Sequence, residues 1–447
     1  MTLTRATCNN MKKKIFLVVL TIILATLCLF SCNEVTLSEE IRLEEYRVVI
    51  PENADTITKY CADNFILTIK EKYKLDLPLT TDADTPLQKE ILIGKTNREE
   101  SQTSKTPREK QYQLFIRNDK IVIQGNSIFV GGGCGAFLND HLEIKEGKMH
   151  LKNMPTTDTP RSFYYKNDYK SVIFMIGDGM GQNHINMAEW DSLDRFIARD
   201  FTSIGTVITQ SQSVIDGEAE FTDSAASATA MATGTKTLNG YLGVDKDKNT
   251  LVNIRELAHQ SGAKTGIITT DVITGATPCA YLCHHDARKD SDLLQAQIDL
   301  LVSQGKVDYL QGDVGNDLTS HTKEALYQLN NENGFFLMIE EAYIDKASSD
   351  RNLRRTINCV IRFNDAITYA SQFALMHPEV ALVVTADHET GGIISNESQT
   401  YYTFTTKDHT NVDVPFFVVG AGANRLKGRI DNTAFFEFCK SAYEKNQ

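Results

Sequence analysis

The amino-acid sequence predicts an α/β protein with a mainly parallel central sheet, preceded by a small α+β segment. Three observations carry that prediction. From Ser171 onward the short apolar runs SVIFMI, KTGIITT, FFLMI, VALVVT and VPFFVV alternate with stretches of helical periodicity, as expected of strands joined by crossover helices. Most of these runs lead into polar residues: Asp178 after the first, Asp271 and Thr277 after the second, Glu340 and Asp345 after the third, Asp387-His388-Glu389 after the fourth. Residues before about 155 read differently, as a few strands, one helix and a hairpin.

Taken in order, the chain of 447 residues carries MKKKIFLVVLTIILATLCLFSC at residues 11–32: a basic head, an apolar run, then a cysteine, which is an export signal layout. It resembles a bacterial lipoprotein signal over residues 1–32, with Cys32 as the lipid-bearing mature N-terminus and membrane anchor. Cleavage to an unanchored protein and retention as a transmembrane segment stay open, and all three readings place the protein outside the cytoplasm. Residues 40–155 form the small α+β domain: a strand and amphipathic helix in YRVVIPENADTITKYCADNFILTIK, a strand in KEILIGKT, and a hairpin turned at Asn118-Asp119. The run Gly131–Gly133 reads as a tight turn. Residues 165–447 form the α/β domain.

Composition excludes more than it identifies. A net charge of −12 argues against a nucleic-acid partner, which needs a basic face. Of nine cysteines, six lie beyond the signal, scattered, with Cys279 and Cys283 one helical turn apart and no CxxC pair.

Ligands of open α/β sheets bind beyond the carboxyl ends of the strands. Several carboxylates and a histidine delivered to that edge repel one another unless cations sit among them. Aspartate and histidine suit zinc. The stretch TDSAASATAMATGT at 222–235 then places Asp223-Ser224 at the head of a helix. Asp223 or Ser224 can simply cap that helix; alternatively Ser224 is a nucleophile activated by metal rather than by histidine.

The motifs FMIGDGMG, TDSAASATAMATGTKTLNGYLGVD, ATPCAYLCHHDAR, EEAYIDK, TADHETGG and DHTNVDVPFFVVGAGA resemble, in order, those of alkaline phosphatases. The resemblance implies a three-layer sandwich around the central sheet, and zinc- and magnesium-dependent hydrolysis of small phosphate monoesters through phospho-Ser224. By position, Asp178 would bridge the second zinc and the magnesium, and Asp387 and His388 would complete that zinc. Asp345 and His409 would hold the first zinc, Thr277 and Glu340 the magnesium. Arg288 would grip the phosphoryl oxygens and Asp223 would orient it. A periplasmic or outer-membrane-anchored homodimer is expected. The departures are Ser349 where a first-zinc histidine is usual, Gly275 where Asp or His is usual, and Glu341 as an extra carboxylate near the metals. They keep two alternatives in play: a single-metal phosphodiesterase, and a non-catalytic surface protein that binds phosphate or glycan. His284 and His285 are expected near the site without ligating. Trp190 and Phe163–Tyr165 are expected to pack, and His184 to cap or face solvent.

Overall fold

The computed structural model describes residues 38–444 apart from 147 and 193, so the expected signal segment and Cys32 lie outside the described residues. Two compact units emerge. The smaller comprises residues 38–42 with Asp140–Met154, an antiparallel sheet in which Lys148–Lys152 pairs with both Ser38–Glu40 and Leu142–Lys145. The larger comprises Leu43–Asn139 together with the chain from Pro155 onward. This division differs from the expected one between 40–155 and 165–447.

Within the larger unit, a six-stranded sheet uses β1 (Arg47–Ile50), β2 (Leu79–Thr81), β3 (Glu90–Ile93), β4 (Gln111–Arg117), β5 (Lys120–Gly125) and β6 (Arg161–Ser162), in the order β2-β1-β3-β5-β4-β6. The β4–β5 hairpin turns through Asn118 and Asp119, both with positive φ, as a two-residue turn requires. Because β6 pairs with β4, residues lying between the two expected domains complete this sheet. Helix α1 (Thr56–Tyr73) is capped by Asp55, whose side chain accepts from the Thr58 amide. The glycine run forms a buried helix, α2 (Phe129–Ala136), and not a turn. The reason is contact: a Cβ at Gly135 would lie 2.5 Å from the Leu375 carbonyl oxygen, and one at Gly131 2.5 Å from Gln372 Oε1. Only hydrogen in place of a side chain lets α2 approach α7 (Leu353–Met376) so closely.

The central sheet has eight strands: β7 (Ser171–Gly177), β8 (Ser203–Ile208), β9 (Lys264–Thr269), β10 (Tyr309–Gln311), β11 (Phe335–Glu341), β12 (Val380–Thr385), β13 (Val414–Gly420) and β14 (Gly428–Asp431), ordered β10-β9-β11-β7-β12-β13-β8-β14. All pairings are parallel except those of β13, which runs against both neighbours. Strands β7, β11, β12 and β13 are buried along their whole length, which explains their unbroken apolar runs. With β7 in register between β11 and β12, Ile176 lies opposite Glu340 on one side and Thr385 on the other. That register brings the polar ends of three strands to one edge. The reversed β13 begins at the same edge, so the residues before it, His409 among them, arrive there too.

Candidate metal and nucleophile site

Helix α4 (Ser224–Thr233) is buried at every residue. Alanine and threonine favour that because they leave little volume to accommodate and little side-chain entropy to lose. Asp223 caps it, its Oδ1 accepting from the Ala226 amide at 2.9 Å, so Ser224 is the first helical residue. One turn on, Ser227 donates to the Asp387 carbonyl at 2.6 Å, tying α4 to the loop after β12. Asp223 thus takes the capping role, which leaves the Ser224 hydroxyl free of it at the head of the helix.

Three oxygens converge on one nitrogen. His388 Nε2 lies 3.3 Å from Ser224 Oγ, 3.2 Å from Asp387 Oδ2 and 3.5 Å from Asp178 Oδ1. In a proton relay the carboxylate would hold the opposite ring nitrogen. Here the opposite nitrogen, Nδ1, lies 3.2 Å from Thr390 Oγ1, and that hydroxyl donates its single proton to Asp345 Oδ1 at 2.5 Å. Thr390 must therefore accept from His388 Nδ1–H, which leaves Nε2 facing Ser224 and the carboxylates. His409 is wired alike. Its Nδ1–H donates to the Thr222 carbonyl at 2.7 Å, its Nε2 faces Asp345 Oδ1 at 3.5 Å, and its ring stacks on His388 with centroids 3.6 Å apart. Two groups result, Asp178–Asp387–His388 and Asp345–His388–His409, each with ligand atoms within 4.8 Å of one another.

The electrostatics are those of crowded buried carboxylates that a cation would relieve. Burial, and then the charges of Asp387, Asp345 and Glu340, push the Asp178 carboxyl well above the usual range. Burial raises Glu340 to about 7, against the pull of the Thr269 and Thr277 hydroxyls. Burial would lower the His409 imidazole, but the hydrogen bond and charge of Asp345 outweigh it and raise it to about 9. Asp178 Oδ1, Asp387 Oδ2 and Thr277 Oγ1 are buried without hydrogen-bond partners. Orphaned buried oxygens are rare, and a divalent cation would satisfy all three. The donor set of carboxylate oxygen, imidazole nitrogen and hydroxyl fits zinc and magnesium.

The remaining expected residues fall as follows. Arg288 donates from Nη1 to Asp223 Oδ2 at 3.0 Å, and the same oxygen accepts from the Gly240 amide. Thr277 lies buried on α5 (Ala276–Leu282). Gly275 precedes it; a Cβ there would lie 3.6 Å from Asp271 Oδ2, a carboxylate paired with Lys346 at 2.6 Å. Ser349, half-buried on α6 (Tyr343–Ser349), belongs to neither ligand group; the third member beside Asp345 and His409 is His388. Glu341 corrects an expectation. Strand alternation turns it away from Glu340, and Arg362 grips it with two bonds of 2.6 Å, so its charge is spent there.

Of the two roles expected of His184, capping holds and exposure does not: it is fully buried on α3 (Gln182–Ser192). Its Nδ1 accepts from the Gly181 amide at 3.1 Å and its Nε2 meets Ser348 Oγ at 3.0 Å, bracing the Asp178 turn against the helix that carries Asp345. Burial drives its imidazole down to about 4, so it stays neutral. His284 bonds Gly243 O and Glu256, and neither it nor His285 joins a ligand group. The six described cysteines are free and buried. Sequence reasoning missed Thr390. Its only signal is the spacing in DHET, where i and i+2 share a face of an extended segment.

Fold and site together define a class: an α/β protein with a serine, an arginine and two carboxylate–imidazole cation sites at the carboxyl edge of its sheet. The model of the alkaline phosphatase family matches residues 169–317 and 308–403. The chain belongs to the alkaline phosphatase family. Alkaline phosphatase 4 of Bacillus subtilis strain 168 is 30% identical over 294 residues, covering 51% of this chain and 63% of that one. The repressible alkaline phosphatase of Saccharomyces cerevisiae is 27% identical over 340 residues, covering 55% and 59%. The chain thus spans less than two thirds of the length of these curated relatives. The structure of the alkaline phosphatase from the Antarctic bacterium TAB5 aligns with a TM-score of 0.57 at 26% identity, covering 62% of this chain and 99% of that one.

Proposed function

We propose that this protein is an exported, metal-dependent phosphomonoesterase acting through a phosphoserine at Ser224. The observation that supports it best is the convergence of Ser224 Oγ, Asp178 and Asp387 on Nε2 of His388, an arrangement that suits a coordination sphere. A TAB5 alkaline phosphatase variant is described with magnesium in its M3 site, which favours a magnesium at Asp178, Thr277 and Glu340 here. Asp178, Asp387 and His388 would hold one zinc, and Asp345 and His409 the other. Bound there, zinc supplies charge stabilisation and lowers the pKa of a coordinated hydroxyl.

The chain's own residues do the rest. Ser224 forms the bond to phosphorus in line with the departing alcohol oxygen, and water later releases inorganic phosphate from the serine. Asp223 presents Arg288 to the phosphoryl oxygens, where a planar guanidinium makes paired hydrogen bonds. The amino end of α4 faces the same anion. The lipid anchor at Cys32, the periplasmic or outer-membrane location and a homodimer accompany this proposal.

The test is hydrolysis of an aryl phosphate at alkaline pH with added zinc and magnesium, for the wild type and Ser224→Ala. Zinc-dependent turnover that disappears in the variant, with acid-quenched phosphate mapped to Ser224, is the expected outcome. A folded, zinc-loaded protein without turnover would overturn the proposal and favour a phosphate- or glycan-binding role. Turnover restricted to diesters would favour the single-metal phosphodiesterase.

A further inference from the structure

Helix α3 has two characters. His184, Ile185, Met187 and Ala188 are buried, whereas Gln182, Asn186, Glu189 and Trp190 recur at helical spacing on another face. With Arg199, Gln399 and Tyr402 they line an open groove of about 620 Å³. Trp190, the chain's single tryptophan, is 46% exposed there, its ring 6.2 Å from that of buried Tyr402. The expectation that Trp190 only packs accounts for one side of it.

The polar side chains around this indole hold one another in place. Arg199 Nε donates to both oxygens of Glu189 at 2.9 and 3.0 Å, and its Nη2 donates to Asn186 Oδ1 at 2.6 Å. Gln182 Nε2 donates to the same Oδ1 at 2.9 Å. Glu189 and Arg199 cancel each other's charge, so the groove does not select an ion. What it offers is one flat apolar face beside fixed planar amide, carboxylate and guanidinium groups, each presenting neighbouring donors or acceptors. A pyranose ring matches this surface, with a C–H face to lie on the indole and vicinal hydroxyls around its rim. The volume falls within the range of small-molecule sites, and an open groove admits a chain rather than a single enclosed ring.

We infer that this groove binds a neutral oligosaccharide, one pyranose ring stacked on Trp190 and its hydroxyls bonded to Asn186 and the Glu189–Arg199 pair. The site is separate from the serine centre and stands whether or not the phosphatase reading holds.

The single tryptophan makes the test direct. The purified chain is titrated with cellotriose, xylotriose, maltotriose and chitotriose, with glycerol and adenosine as controls, following Trp190 emission and heat by calorimetry. At least one trisaccharide is expected to give a saturable change. By calorimetry, Trp190→Ala and Asn186→Ala are expected to weaken it tenfold or more, the loss equivalent to about one good contact. Circular dichroism shows whether each variant is folded. No saturable signal from any saccharide with the wild type, a response to adenosine alone, or binding undiminished in folded Trp190→Ala would each overturn the inference.

Discussion

The proton of the Thr390 hydroxyl orders the site. Given to Asp345, it obliges Thr390 to accept from His388, and this turns Nε2 of the ring toward Asp178, Asp387 and Ser224. Thr390→Val should keep the shape and lose that instruction. We expect zinc affinity to fall about 10–100-fold, as for other groups that orient metal ligands, measured by competition with a chromogenic chelator. Acidity should act on the same ligands. Metals bind the deprotonated forms, and the hydrogen bond and charge of Asp345 raise His409 to about 9. Apparent zinc affinity should therefore rise as pH climbs toward 9 and weaken below; equal affinity at pH 6.5 and 9 would contradict this assignment. Ser224, Asp178, Asp387 and His388 were legible in sequence because contiguous motifs carry them. Thr390 was not, since its role comes from which neighbours fall within reach of one hydroxyl.

At the scale of elements, the strands of the parallel core were readable from apolar runs, because burial on both faces leaves no alternation to misread. The direction of β13 was not, since a buried antiparallel strand and a buried parallel one have the same composition. Nor was the inward turn of Glu341: a carboxylate at the end of a strand looks available until the arginine that engages it, Arg362, is found on a distant helix. Helix α2 misled for a similar reason. Glycine is a poor helix former, and close neighbours on several sides explain the run: α7 at Gly131 and Gly135, Phe163 at Gly132, Ile123 and Tyr112 at Gly133. Gly135→Val should therefore do harm despite its more apolar side chain. Its Cβ would meet the Leu375 carbonyl at 2.5 Å, and we expect a loss of about 1–3 kcal/mol, read as a lower denaturation midpoint in urea. An unchanged midpoint would mean that α2 and α7 are not so closely packed in solution.

Across the whole molecule, the buried carboxylates make stability depend on cations. Asp178 and Asp387 lie beside Asp345 and Glu340 in a region from which water is largely excluded, and any ion bound only by the folded state stabilises by mass action. Zinc at about 100 times its dissociation constant should add about 2.7 kcal/mol. Calorimetry should show a raised unfolding temperature with zinc, reversed by chelator and much reduced in Asp387→Asn. The division into units was the least legible feature at this scale. No composition shift marks the pairing of β6 with β4, which joins residues between the two expected domains to the first sheet. The reversed strand β13 also has a consequence in time. His409 reaches the site because β13 starts at the edge where its neighbours end, and β13 is held between β12 and β8. A chain still being synthesised can form the Asp178, Ser224 and Asp387 segments, yet it cannot close the Asp345–His388–His409 group until β13 has emerged and found a place between strands made long before. Closure of that group is therefore a late event in folding, and completion of the sheet comes first.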